Sequence, residues 1–294
     1  MKIGNLILSA ALAFVLALPA LAAGETVEAY GQMIDTQAES LDLGKVKVED
    51  FEAFREVLDA LPMLRQVDMY ETPMEESEME ALTLDYPQIR FGWTLRVAKY
   101  RVRTDVTAFS TLRQPDEKPR YSAAKYAPLQ FCWQIQGLDL GHSNIEELSF
   151  LEGLTGLHYL ILADNRVTDL SSLENLTELE YLELFMNDIT DVTPLTKLPK
   201  LIDLNLSRTR IEDLTPLYDM KQLKRLWISR VGSAISEEEK EALCAALPDT
   251  EIHFTANCTA EGWRKHPRFQ KVKNSFRLNL NQTFLPWTDE ERAL

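Results

Sequence analysis

Leu-Ile-Leu-Ala-Asp-Asn-Arg-Val-Thr-Asp-Leu at 160–170 and Leu-Glu-Leu-Phe-Met-Asn-Asp-Ile-Thr-Asp-Val at 182–192 are one phrase written twice, 22 residues apart. Leu138, Leu160, Leu182, Leu204 and Leu226 continue one column at that spacing, and Leu140, Leu162, Leu184, Leu206 and Ile228 a second. Ile145, Val167, Ile189, Ile211 and Leu151, Leu173, Leu195, Leu217 keep step with them. A fixed period of this length predicts a solenoid, in which one supersecondary unit per repeat stacks on its neighbours. A single leucine-rich helix is excluded by Pro194, Pro199 and Pro216 inside the array.

One coil can be derived from its spacing. Leu182 and Leu184 alternate with Glu183, so they begin a short strand with both leucines inward. Ile189, Val192, Leu195, Leu198 and Leu201 step by three, which suits a tight 3₁₀ path on the convex side. Asn165 and Asn187 fall between strand and tail of the coil, where an inward amide satisfies backbone groups left unpaired by the turn. Ser143 and Thr209 hold the equivalent places.

These phrases resemble the leucine-rich repeats of secreted bacterial proteins, in particular the 22-residue internalin-like class, over roughly residues 41–256. Arg-Thr-Asp-Val-Thr-Ala-Phe-Ser-Thr-Leu at 103–112 is similar to repeat proteins of gut-dwelling Firmicutes. The resemblance implies an α/β leucine-rich repeat solenoid, with a parallel sheet on the concave side and 3₁₀ or short helices on the convex side. It also implies a non-catalytic binding scaffold, and it does not name a ligand.

Working outward, residues 1–22 read as a signal peptide: Lys2, an apolar run from Leu6 to Leu18, and Ala20-Leu21-Ala22 before the cut. The expectation is a secreted, extracellular or cell-envelope protein with no transmembrane segment in the mature chain. Residues 23–40 are polar and read as a flexible lead-in. Degenerate repeats occupy 41–104, with helical spacing at Phe51, Phe54, Val57, Leu58 and Leu61. Ile235 to Leu243 mirrors Met74 to Leu82, so helix-bearing repeats flank the regular array. Residues 90–104 predict an inserted β-hairpin about Ala98-Lys99; Arg90, Arg96, Arg101 and Arg103 lie on its other face, either as an anion-binding strip or as a solvated surface paired with nearby acids. Residues 105–128 read as a connecting loop, 129–256 as the repeat array with a C-terminal capping repeat, and 257–294 as a basic tail.

The binding face follows from strand alternation, because residues between the inward leucines point to the concave surface. Tyr159, Ile161, Tyr181, Glu183, Phe185, Asn205 and Trp227 are the candidate binding residues, an exposed aromatic patch with charges around it. Five strands span on the order of 20 Å, enough for a peptide, a glycan or one face of a small domain. A protein or glycan is the expected partner. The chain carries 46 acidic and 31 basic side chains, net −15, which disfavours nucleic acid and anionic membrane as general partners.

The tail reverses this sign. Arg264, Lys265, Arg268, Lys271, Lys273 and Arg277 occur with no acid between Glu261 and Asp289, interleaved with Trp263, Phe269 and Phe276. It either docks on an acidic cell-envelope polymer or folds back as a cap on the acidic solenoid. Cys132 sits in a core column, and Cys244 with Cys258 is a candidate disulfide of the cap. His142, His158, His253 and His266 are scattered, so no metal or cofactor is expected. No catalytic motif is present; Asp139, Glu183 and Asp203 on the concave face are the residues a polymer hydrolase would need, the least favoured reading.

Overall fold

The computed structural model describes residues 24–111, 120–256, 262–277 and 283–294. The signal segment 1–22, and with it the expectation of cleavage, lies outside the described residues, as does Cys258 of the candidate disulfide.

The chain opens with an antiparallel pair, Thr26–Ala29 (β1) and Gln32–Asp35 (β2), where a flexible lead-in was expected. Tyr30 and Gly31 turn it with φ of 52° and 73°. Ala29 and Ile34 are buried, and the Tyr30 ring meets Phe54 edge-on at 6.1 Å. A few apolar contacts against the first helix order this segment despite its polar composition.

Ser40–Asp42 (β3), Gln66–Asp68 (β4) and Arg90–Gly92 (β5) form a three-stranded parallel sheet. The crossovers are Phe51–Asp59 (α1) and Glu76–Asp85 (α2). Asp50 caps α1 by accepting from the N–H groups of Glu52 and Ala53, both at 3.0 Å. Thr94–Val97 (β6) and Tyr100–Arg103 (β7) then make an antiparallel hairpin. Residues 90–92 therefore belong to the parallel sheet and only 94–103 to the hairpin, a boundary that inward–outward alternation alone does not reveal.

Ala108–Ser110 (β8) starts a seven-stranded parallel sheet inside the stretch expected to be loop. It continues through Gly137–Asp139 (β9), Tyr159–Ile161 (β10), Tyr181–Glu183 (β11), Asp203–Thr209 (β12), Arg225–Arg230 (β13) and Glu251–His253 (β14). Gly137, Tyr159, Tyr181, Asp203 and Arg225 are aligned partners, so the central strands keep the 22-residue register. The flanking coils are longer: Ala108 pairs Gly137 and Arg225 pairs Glu251, steps of 29 and 26 residues. The last step accommodates Glu237–Ala246 (α3), capped by a reciprocal Ser236–Glu239 box.

The leucine columns are fully buried between the sheet and the 3₁₀ turns. Each contributes about 1.5–3 kcal/mol, which no coil gains alone. The two asparagines close the turns. Asn187 accepts from Val167 N–H at 3.0 Å and donates to the Leu162 and Leu184 carbonyls, both at 2.9 Å. Asn165 repeats the device one coil earlier. Cys132 sits in this core, where burial pushes its thiol up to about 12.

The basic tail is part of the fold. Pro267–Arg277 (α4) lies on the concave face, and Asp289–Ala293 (α5) follows behind a Thr288 cap. The central sheet is thus covered on both sides, and a second apolar core forms between its concave face and the tail.

Candidate functional site

The concave residues are brought together as strand alternation predicts, but they are not exposed. Tyr159 and Tyr181 are fully buried, Ile161 is 3 % and Trp227 5 % exposed. This corrects the expected open aromatic patch: Trp263, Phe269, Val272, Phe276, Phe284 and Trp287 of the tail pack onto it. Tyr159 lies 4.8 Å from the ring of Phe284 and 5.0 Å from that of Trp287. Gly137 keeps the approach open, because a β-carbon there would stand 3.3 Å from the Phe276 ring.

The polar half of the site is a set of arginine sockets. Glu183 accepts from Arg264 Nη2 at 2.7 Å, from Tyr181 Oη at 2.9 Å and from Trp263 Nε1 at 3.2 Å. Asp203 accepts a fork from Arg268, Nη2 at 2.5 Å and Nε at 3.0 Å, and a third donation from Arg225 at 2.9 Å. Arg225 also donates to the Trp263 carbonyl at 2.9 Å and lies 4.0 Å over its ring. Two buried acids, Glu183 and Asp203, thus hold three arginines, Arg225, Arg264 and Arg268. Burial raises the Asp139 carboxyl, although Gly141 N–H and Ser110 Oγ both donate to it. At the far edge, Arg292 of α5 donates to Glu180 at 2.8 Å. Burial pushes Glu180 up, but His158 and Arg292 together bring it below the usual carboxylate range.

Two candidate residues differ from the rest. Asn205 faces the buried layer and accepts from Ser207 N–H at 3.0 Å, which secures the strand itself. Phe185 is half-buried at the border of the tail, with the Arg208 guanidinium 5.6 Å from its ring. The three acids that a hydrolase would use are buried and held by the contacts above. Among the described residues no group of acids, histidines and cysteines could hold a metal, and no helix is long and apolar enough to cross a membrane.

The hairpin arginines divide. Arg103 forks onto Asp105 at 2.9 and 2.7 Å and lies 3.6 Å over the Tyr70 ring. Arg90 lies 4.7 Å over Trp133. Arg96 and Arg101 stand directly opposite one another, both exposed.

The fold-back of the tail was one of the two alternatives open from the sequence, but its seat on the concave face was not foreseen. The signal was present: Phe269, Val272 and Phe276 have helical spacing, with Arg268 beside them.

The pattern of the leucine-rich repeat family matches residues 155–197 and 177–219, so the central coils are leucine-rich repeats. Among solved structures, the chain is similar to an internalin C2 of Listeria monocytogenes at 23 % identity, with 74 % of this chain and 80 % of that one covered and a TM-score of 0.36. A second Listeria monocytogenes internalin is similar at 22 % identity, covering 75 % and 70 %, with a TM-score of 0.37. The ectodomain of a plant membrane receptor kinase from Arabidopsis thaliana, in complex with Casparian strip integrity factor 2, shows 16 % identity, coverage of 76 % and 24 %, and a TM-score of 0.35. No curated protein matches the chain.

Proposed function

We propose that this chain is an exported, non-enzymatic leucine-rich repeat scaffold that binds protein. Its concave residues Tyr159, Ile161, Tyr181, Glu183, Phe185, Asn205 and Trp227 form a polypeptide-recognition face, and the resident occupant is the chain's own C-terminal segment. One observation carries this reading: Glu183 and Asp203 hold Arg264 and Arg268 while Tyr181 and Trp227 flank Trp263, at 5.3 and 6.3 Å between rings. Aromatic anchors and forked arginine–carboxylate pairs are the features by which proteins bind peptides tightly. Export rests on Lys2, the apolar run from Leu6 to Leu18 and the small residues before Ala23.

A glycan is the weaker partner, because sugar stacking needs open aromatic faces and these are covered. Docking of the tail on an envelope polymer is also weaker, since Arg264 and Arg268 are turned inward and Lys271 faces Glu291 at 3.4 Å.

The test is to place a specific protease site within 257–261 of the full chain and cut it after folding. The reading predicts that the freed tail stays bound through gel filtration at micromolar concentration. A labelled 262–294 peptide then exchanges into the complex, and Glu183→Gln with Asp203→Asn weakens it. A tail that falls away on cutting would remove polypeptide recognition from the concave face.

A further inference from the structure

Three residues beyond each of β9, β10 and β11, and at the irregularity within β12, the chain turns through a left-handed residue, and none of these four is glycine or asparagine. His142, Asp164, Met186 and Arg208 have φ of 57°, 55°, 57° and 57°. The turn is needed because it carries each N–H onward to the next coil: Asp164 donates to the Phe185 carbonyl at 2.7 Å and Met186 to that of Ser207 at 3.0 Å. Aspartate and histidine tolerate this conformation better than most side chains. Here they are also tied together, with Asp164 accepting from Arg120 at 2.6 Å and lying 2.9 Å from His142 Nδ1. Met186 and Arg208 have neither excuse. Long side chains held in the left-handed region against steric cost mark positions where the side chain itself is used.

These two lie together, outside the area that the described residues of the tail cover. Met186 is 36 % exposed, Arg208 is exposed, and Phe185 beside them is half-buried. The Arg208 guanidinium rests between the Phe185 ring at 5.6 Å and Met186 Sδ at 3.9 Å. Among the described residues Arg208 has no acidic partner, on a chain with 46 acids against 31 bases. Phenylalanine, methionine and arginine are the side chains that protein interfaces concentrate.

We infer that Met186 and Arg208, with the open edge of Phe185, form a docking surface at the border of the tail-filled face for a partner segment that offers a carboxylate beside a large apolar side chain. Charge complementarity sets that occupant: the Arg208 guanidinium, with no acid against it among the described residues, takes the carboxylate, and the Phe185–Met186 shelf takes the apolar group. The inference rests on the reading of the chain as a protein-binding scaffold.

The probe is a displayed random-peptide library selected on the immobilised full chain. Enrichment of acidic–apolar sequences is expected, with affinity falling about tenfold or more in Arg208→Glu and in Met186→Ala. Lys200→Ala, at an exposed residue that pairs with Glu178, should leave that binding unchanged. Met186→Gly and Arg208→Gly should raise Tm while losing the peptides, a combination that a merely structural role would not give. Enrichment only of basic–aromatic sequences that compete with the tail would overturn the rim site and leave the concave reading standing. Absence of any enrichment, or acidic peptides indifferent to Arg208→Glu, would also overturn it.

Discussion

Arg268 and Asp203 meet as a forked ion pair at 2.5 and 3.0 Å, with side chains 1 % and 0 % exposed, 65 residues apart in sequence. Removing one partner of such a pair leaves an uncompensated buried charge, which costs about 3–5 kcal/mol. Asp203→Ala should fall in that range, since it strands both Arg225 and Arg268. Arg268→Met should cost less, because Asp203 keeps Arg225 at 2.9 Å. Urea denaturation of the two variants decides; equal costs would mean that Arg225 does not compensate Asp203 once Arg268 is gone.

Asp139 predicts a gain instead of a loss. Its carboxyl is raised by burial, so its charge opposes folding. A folded pKa above the unfolded 3.8 gives stability that is complete below 3.8 and lost as pH rises through the folded value. Asp139→Asn should therefore be more stable than the parent at pH 7, with the difference vanishing toward pH 3.8. Asparagine can still accept from Gly141 N–H and donate to Ser110 Oγ. Chemical denaturation across that window would contradict the account if the parent were the more stable at neutral pH.

His266 makes the tail sensitive to acid. Burial, then the charges of Arg225 and Arg268, hold it down at about 4 against 6.5. Its Nδ1 accepts from Arg268 N–H at 3.3 Å, as a neutral ring can. A depressed pKa means stability that is complete above 6.5 and lost as pH falls through about 4. The urea midpoint should drop across this interval, and His266→Asn should flatten the drop. A parallel pH profile for the two proteins would refute the assignment.

Asn187 tests the array itself. It is 4 % exposed and makes the three backbone bonds described above. Asn187→Ala orphans Val167 N–H and deprives two carbonyls of a donor, so a loss of roughly 2–4 kcal/mol is expected. Thermal unfolding of the variant measures it, and a loss no larger than an exposed substitution gives would remove the asparagine ladder from the account.

The solenoid was legible because the same phrase recurs without slip, and Leu160, Leu182 and Leu204 mark the register unaided. The concave column was equally legible, since alternation decides which side Tyr159 and Tyr181 take. What covers that column was not. Tyr181 and Glu183 read the same whether they face water or Trp263, and the pairing spans some eighty residues of sequence. The strand at Ala108–Ser110 was hidden for a different reason: its coil is 29 residues long and falls out of the 22-residue columns. The hairpin at 26–35 was hidden because its order comes from Tyr30 against Phe54, a contact that no local pattern encodes.

Hydroxyl-radical footprinting of the full chain in neutral buffer tests the central claim most directly, because it reads the solvent access of each aromatic ring. The account predicts that Tyr159, Tyr181, Trp263 and Trp287 are protected together, at 0 %, 0 %, 0 % and 2 % exposure, while half-buried Tyr218 is modified. Joint modification of Tyr159, Tyr181, Trp263 and Trp287 at the rate of Tyr218 would show the concave face open and contradict the account.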